Sequence, residues 1–250
     1  MDRNTPYVEQ AYRLCEKEQK ETCGHDSAQR YLANHASRFH RIQNVCRELF
    51  PHRDTPLLDI GRSGLTAELA QYYENMTTLG FPLTHDRGGH REIESLTLPH
   101  IEYDLRKCED PETWPVEKRD SFAGIVCSEV LEHLPIAPEY FLLFLATLLK
   151  PGGLLLLTTP NRADIRSRIR LLMGRNPEGV IRLYSDNPGH FREYTRKELI
   201  HMGNRALLHP RRVVSCNFTP LRGDIFAPVR IFPPFKDSLI ALYEKKDVRR

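Results

Sequence analysis

The stretch Thr55-Pro-Leu-Leu-Asp-Ile-Gly-Arg-Ser-Gly-Leu-Thr-Ala-Glu-Leu-Ala70 decides the fold. Its apolar start at Leu57 predicts a buried strand, Gly61 and Gly64 lie in a tight turn, and helical spacing of apolar residues begins at Leu65. A strand, a glycine turn and a helix in this order direct backbone N–H groups and a helix N-terminus to one edge of a sheet. Carboxylate and phosphate groups bind at such an edge, so the stretch predicts a ligand site there.

The turn lacks the glycines that a pyrophosphate needs. Ser63 and Thr66 occupy two of the three glycine positions of G-x-G-x-x-G, and the chain has no G-x-x-x-x-G-K-[ST] loop. The acid at the strand end, Asp59, instead favours a ligand with a cationic group, such as the ammonium of an amino acid. An NAD-dependent oxidoreductase is disfavoured for this reason, and because no acid ends the second predicted strand.

The composition is that of an ordinary soluble globular protein. The chain has 250 residues, 40% hydrophobic and 28% charged, and its net charge of +3 is too small to indicate a nucleic-acid partner. No apolar run approaches the ~20 residues that span a bilayer, and the N-terminus leads into no hydrophobic segment, so neither a membrane span nor a secretory signal is expected. The 6 cysteines form no C-x-x-C pair and no Cys/His cluster with zinc spacing. Free thiols in a reducing cytoplasm, and no metal, are therefore expected.

Strands and helices alternate along the chain, which predicts an α/β fold with a doubly wound, parallel sheet. The predicted strands begin at Leu57 and continue at 77–82, 101–105, 122–127, 154–159, 212–219 and 238–244. The predicted helices lie at 7–20, 27–50, 65–74 and 138–149, and a last one follows the capping box Thr195-Arg-Lys-Glu198. We expect a helical N-terminal cap over residues 1–54, a main domain over 55–250, and a basic insertion at about 161–194.

Six short motifs in this order resemble the class I S-adenosylmethionine-dependent methyltransferases, and most of all the branch with ubiquinone-type and other small-molecule enzymes. The motifs are 57–61 (LLDIG), 101–104 (IEYD), 125–134 (IVCSEVLEHL), 149–154 (LKPGGL), 158–161 (TTPN) and 189–195 (GHFREYT). The similarity spans about residues 55–202, and the final strand pair also fits. It implies a Rossmann-like, seven-stranded sheet, mostly parallel with an antiparallel last strand. It also implies methyl transfer from S-adenosylmethionine to a small molecule, with oxygen as the expected acceptor atom.

The resemblance implies a cofactor site at the ends of three strands. The implied residues are Asp59, Gly61, Arg62 and Ser63 at the methionine part, Asp104 and Leu105 at the adenine, and Cys127 and Ser128 again on the methionine side. The chain departs from the family pattern in its G-R-S-G turn. It also departs at Pro82, which stands where an acid usually holds the ribose, although His85 and Asp86 follow closely and could substitute. These departures motivate an alternative function, a non-catalytic binding protein with a methyltransferase fold.

Two histidines are candidates for a catalytic base. A hydroxyl acceptor has to lose a proton, and the resemblance places His133 and His190 near the carboxyl edge of the sheet. His133 could instead anchor the helix start after the fourth strand, and Glu193 could assist His190 or shape the surrounding segment.

The basic insertion allows two interpretations. Its arginines outnumber its acids, and Ile165, Ile169 and Leu172 share one helical face. Such a segment can contact a membrane surface or a lipid-linked substrate, or it can simply be a cover helix with a solvated outer face. Basic stripes with interleaved aromatic residues, typical of nucleic-acid binding, are not evident elsewhere. The sequence leaves the oligomeric state open.

Overall fold

A computed structural model describes residues 28–83, 97–182, 188–219, 221 and 223–247, with side chains described from residue 35 onward. The strands are β1 Leu57–Ile60, β2 Met76–Gly80, β3 His100–Glu102, β4 Phe122–Ser128, β5 Leu149–Pro160, β6 Leu208–Cys216 and β7 Ser238–Lys245. The helices are α1 Ala28–Leu49, α2 Gly64–Ala70, α3 Pro138–Leu148, α4 Ile165–Leu172, α5 Arg196–Arg205 and α6 Ala227–Arg230.

The seven strands form one sheet in the order β3-β2-β1-β4-β5-β7-β6. The strands β1 to β5 pair in parallel, and β7 runs antiparallel to both of its neighbours, β5 and β6. This arrangement confirms the predicted doubly wound sheet with an antiparallel last strand. The direction of winding reverses between β1 and β4, and ligands of open α/β sheets bind beyond the carboxyl ends of the strands at that point.

Burial on both faces of the sheet explains why its central strands are apolar. All four residues of β1 are buried, as expected for a parallel strand covered by helices on both sides. On one face, Phe39, Ile42 and Cys46 of α1 pack with Leu65 and Leu69 of α2. On the other face, α3 and α5 pack in a second core cluster. The helix α1 therefore forms part of one helical layer of the domain.

Most predicted elements are confirmed, with shifted ends. The helix predicted at 27–50 is α1, whereas the one predicted at 7–20 lies outside the described residues. The helix α2 ends four residues before the prediction, because the chain turns there to bury Tyr73, whose hydroxyl donates to the Phe50 carbonyl at 3.0 Å. The capping box is confirmed, since Thr195 N–H donates to Glu198 Oε2 at 2.8 Å.

In the part of the chain that the structure describes, no helix is long and apolar enough to cross a membrane.

Gly124 of β4 tests the docking of α1 on the sheet. A Cβ at this position would lie 2.5 Å from Phe50 Cζ, just beyond the end of α1. Gly124→Ala should therefore lower the free energy of unfolding by roughly 1–3 kcal/mol through overpacking, measured by denaturant titration. Gly179→Ala is the matched control, because a Cβ there meets nothing within 4 Å. Equal stability of the two variants would contradict this packing.

Candidate functional site

The turn after β1 requires a glycine at its first position. Gly61 has a φ of +77°, in the left-handed region that residues with a Cβ rarely adopt. Its N–H donates to the Leu79 carbonyl at 2.7 Å, which ties the turn to the end of β2. Ser63 then caps α2, and its side chain accepts from Leu65 N–H at 3.3 Å. The predicted strand, turn and helix are all present.

Thr66 contacts the candidate site residues Asp59 and Ser63, and the sequence analysis did not include it. Its hydroxyl donates to Asp59 Oδ2 at 2.6 Å and accepts from the Ser63 N–H at 2.9 Å. In the sequence, Thr66 stands out only because it replaces a glycine of the G-x-G-x-x-G pattern. In the structure, this fully buried hydroxyl joins the acid at the strand end to the turn. A threonine three residues after a serine cap is the signal that could have revealed it.

The carboxyl group of Asp59 has an unusual protonation equilibrium because it is only 2% exposed. Burial raises its pKa to about 7, against the hydrogen bond from Thr66 and the positive charge of Arg62, which both lower it. Arg62 is itself buried beside the turn. A cationic ligand group at this position would favour the ionised form of Asp59. Asp59, Gly61, Arg62 and Ser63 therefore lie together, as predicted.

Asp104 and Leu105 lie just beyond β3, and the Asp104 carboxylate is already engaged. Its Oδ1 accepts from the N–H and Nε of Arg106 at 3.0 and 2.9 Å, and its Oδ2 accepts from Nε and Nη2 at 3.1 and 2.7 Å. Burial alone would raise the pKa of Asp104, but these hydrogen bonds outweigh it and hold the pKa below its ordinary value. The Arg106 guanidinium also lies 5.4 Å above the Phe81 ring.

A carboxylate offers about four lone-pair sites, and three N–H donors of Arg106 occupy most of those of Asp104. An adenine amino group would compete with Arg106 for this carboxylate. The two candidates for the ribose contact, His85 and Asp86, lie outside the described residues, so this contact stays a prediction.

Cys127 and Ser128 are adjacent at the end of β4, but their side chains have different environments. The Cys127 thiol is fully buried in the core, and burial raises its pKa well above the ordinary value. Ser128 lies at the edge of the sheet, where its hydroxyl is 3.0 Å from Thr158 Oγ1. Thr158 in turn donates to Glu129 Oε1 at 2.8 Å. The structure thus offers the Ser128 side chain, and not the Cys127 thiol, to a ligand at this edge.

Two acids follow β4, the half-buried Glu129 and the fully buried Glu132, and the sequence analysis assigned neither of them to the site. Glu129 has a φ of +55°, and Arg38 of α1 lies 3.7 Å from its Oε2. Burial raises the pKa of Glu129, although Arg38 opposes it. Burial and the charge of Glu129 raise the pKa of Glu132 well above its ordinary value. Glu132 Oε2 accepts from Thr159 at 3.0 Å, while its Oε1 has no hydrogen-bond partner among the described residues.

The two predicted histidines are brought together at the same edge. The rings of His133 and His190 have centroids 4.8 Å apart and are nearly perpendicular. His133 Nδ1 lies 2.9 Å from the Gly189 carbonyl, and His190 Nδ1 lies 2.9 Å from Glu193 Oε1. Because a carbonyl and a carboxylate only accept, both Nδ1 atoms donate, and the lone pair of each neutral ring is on Nε2. Burial lowers the pKa of His133, which favours its neutral form.

One ligand atom each from Glu132, His133 and His190 lies within 4.8 Å of the others. Nitrogen and carboxylate oxygen atoms at this spacing can pass a proton or share a divalent cation. The sequence spacing did not show this group, because His190 is contributed by a distant segment. The expectation of no metal rested on that spacing and stays a prediction.

The comparisons with known proteins agree with this geometry. The matching family is described as "Methyltransferase domain", and the match covers residues 14–206. The ubiquinone biosynthesis O-methyltransferase of Xanthomonas axonopodis pv. citri is 27% identical over 159 residues, which are 62% of each chain. Its counterpart in Xanthomonas campestris is 30% identical over 96 residues, or 38% of this chain and 37% of the relative. The chain thus matches less than two thirds of the length of these relatives.

Solved structures share the fold at low sequence identity. The 1,6-didemethyltoxoflavin-N1-methyltransferase of Burkholderia thailandensis, solved with its substrate and S-adenosylhomocysteine, has a TM-score of 0.55 and 16% identity, with 95% of this chain and 90% of that chain covered. The N-methyltransferase NodS of Bradyrhizobium japonicum, in complex with S-adenosylhomocysteine, has a TM-score of 0.55 and 16% identity, with 94% and 97% covered.

The matched family spans most of the chain, and the sheet, the glycine turn after β1 and the acid at its end agree with it. The chain belongs to the methyltransferase-domain family.

Proposed function

We propose that this enzyme transfers a methyl group to a hydroxyl oxygen of a small molecule, with His190 as the base. The single observation that carries the proposal is the hydrogen bond between His190 Nδ1 and Glu193 Oε1 at 2.9 Å. It orients the ring and leaves Nε2 as the proton acceptor, which is how a carboxylate supports a catalytic histidine. The likeness to ubiquinone biosynthesis O-methyltransferases supports oxygen as the acceptor atom.

A hydroxyl acceptor explains why a base is useful at this edge. When bound, S-adenosylmethionine supplies an already activated methyl group, so the protein has to align the acceptor and remove its proton. A phenolic hydroxyl has a pKa near 10 and is mostly protonated at neutral pH. His190, whose side chain is 35% exposed, is accessible to such an acceptor. Its neighbour His133 is held by the Gly189 carbonyl, and we propose that it accepts a proton in relay.

The described residues fit the cofactor on its methionine side. We propose that the cofactor ammonium binds at Asp59, beside Gly61, Arg62 and Ser63, because this buried acid needs a cation to be stable in its ionised form. Ser128 lies at the neighbouring strand end. At the adenine side, Asp104 and Leu105 are the proposed partners, and we propose that the adenine displaces the Arg106 guanidinium from the Asp104 carboxylate. Cys127 takes no side-chain part in this proposal.

Two further segments complete the proposed site. We propose that residues 1–54 act as a cap, supported by the Ser37, Arg38 and Arg41 side chains of α1. Arg38 lies near Glu129, and the other two donate to backbone carbonyls beyond β6. We propose that the insertion at about 161–194 acts as a lid, because it carries His190 and Glu193. The exposed apolar side chains of this insertion favour a lipid-linked acceptor. Elsewhere in the chain, the free, buried cysteines suit a reducing cytoplasm.

One prediction of the proposed function concerns the pH dependence of cofactor binding. Asp59, with a pKa of about 7, loses its charge as the pH falls below that value. The affinity for S-adenosylhomocysteine should therefore be up to about tenfold weaker at about pH 6 than at about pH 8, measured by calorimetry. Asp59→Asn should bind weakly and without this dependence. Glu74→Gln, which changes an exposed acid, should keep it. A wild-type affinity that is flat across this range would contradict the role of Asp59.

The second prediction separates chemistry from binding. His190→Ala should lower turnover by about 10²- to 10⁴-fold, the usual contribution of a general base, and leave the dissociation constant of S-adenosylhomocysteine unchanged. Turnover is measured with labelled S-adenosylmethionine and a panel of hydroxylated, glycosyl and amino acceptors. His209→Ala changes an exposed histidine of β6 and serves as the control. Methylation of amino acceptors alone, or unchanged turnover in His190→Ala, would contradict transfer to oxygen with this base.

A further inference from the structure

The helix α4 exposes part of its apolar face. Ile165, Ile169, Leu172 and Met173 are spaced so that they lie along one side of the helix. The first two are half-buried, whereas Leu172 is 87% exposed and Met173 is 60% exposed. No residue of α4 is fully buried. The apolar face therefore continues from the body of the protein out into solvent, where soluble proteins rarely keep large apolar side chains together.

A second group of exposed apolar residues lies beside α4. It comes from the connection between β6 and β7, where Ile225, Ile231 and Phe232 are 83%, 60% and 56% exposed. Two contacts hold the connection against α4. Arg166 Nη2 lies 3.0 Å from Asp224 Oδ2, and the Arg168 guanidinium lies 5.3 Å above the Phe235 ring.

Ion pairs of a buried arginine hold the chain beneath this second group. Arg230 is 1% exposed and pairs with both Asp224 and Asp237, whose carboxylate also accepts from the Phe218 N–H at 2.9 Å. The exposed residues thus project from a fixed base. Residues 165–173 and 225–232 together form what we call the docking surface.

The charge around the docking surface identifies its occupant. Residues 161–182 contain six arginines but only two acids, Asp164 and Glu178. Asp164 caps α4, Glu178 lies 3.5 Å from Arg162, and Asp224 pairs with Arg166. Six arginines against these three acids still leave an excess of positive charge. Contact between two copies through this face would bring like charges together at an apolar interface, which disfavours a dimer. Apolar side chains flanked by arginines match a bilayer with anionic headgroups.

We propose that the docking surface binds the interface of an anionic lipid bilayer. Leu171, Leu172 and Met173 enter the region between headgroups and acyl chains together with Ile225 and Phe232, and Arg170 of α4 contacts the lipid phosphates. Because the lid also carries His190, docking places the edge of the sheet that holds the site near the membrane. This inference goes beyond the proposed function, since it needs neither turnover nor a particular acceptor atom.

The experiment is flotation of the full chain with phosphatidylcholine vesicles, prepared with and without phosphatidylglycerol. We expect binding to the anionic vesicles only, and weaker binding at high salt. The double variant Leu172→Ser/Met173→Ser should lose at least about tenfold in affinity, and Arg170→Gln should lose about fivefold. Val116→Ser is the matched control, because Val116 is 66% exposed but lies before β4, at the opposite edge of the sheet.

Three outcomes would overturn the proposal: no binding to anionic vesicles, an equal loss in the Val116 control, or unchanged binding of the double variant. Self-association in sedimentation velocity that the double variant abolishes would also overturn it, in favour of a dimer. All of the substituted residues are exposed, so the variants should fold, and circular dichroism checks this. The affinity for S-adenosylhomocysteine should be the same in every variant. If the wild-type protein does not bind S-adenosylhomocysteine at all, that result would instead count against the proposed methyl transfer.

Discussion

The buried carboxyl group of Asp59 is the constraint on which the rest of the site depends. It lies at the end of a strand that is covered on both faces, so its ionised form is unfavourable without a partner. The Thr66 hydroxyl supplies one hydrogen bond, and the same hydroxyl accepts from Ser63 to fix the turn. Strand, turn and helix are thereby one unit, and a cationic ligand completes it. This explains how the turn can have Ser63 at the second position of the glycine pattern.

The order of the strands decides which other residues join this unit. Because β1 lies between β2 and β4, the residues that follow these strands meet at one edge of the sheet. Glu132 and His133 reach this edge after β4, and His190 reaches it from the lid. The site thus has two parts. One part consists of residues at the strand ends, such as Asp59, and the other is His190, which lies in the segment 161–194. Methyl transfer to a hydroxyl needs both alignment and proton removal, and we propose that the two parts divide these tasks.

The fold could be predicted from the sequence because its signals are local. The apolar run at Leu57, the glycine turn and the capping box at Thr195 each specify an element through neighbouring residues. The candidate site could be predicted only in part. Nothing local reveals that the Cys127 thiol faces the core or that Arg38 approaches Glu129. Those contacts depend on tertiary packing, which a strand pattern does not encode. The family resemblance, rather than spacing, predicted that His133 and His190 lie near the same edge, but it did not predict the contact between their rings.

The central claim is that the methionine end of the cofactor binds at the Asp59 turn. A crystal structure with S-adenosylhomocysteine tests it most directly. The account predicts that the ligand ammonium lies within hydrogen-bonding reach of the Asp59 turn, and that the Arg106 guanidinium has left the Asp104 carboxylate to admit the adenine. A ligand bound elsewhere, or a carboxyl edge filled by the protein's own side chains with Arg106 still paired to Asp104, would contradict it.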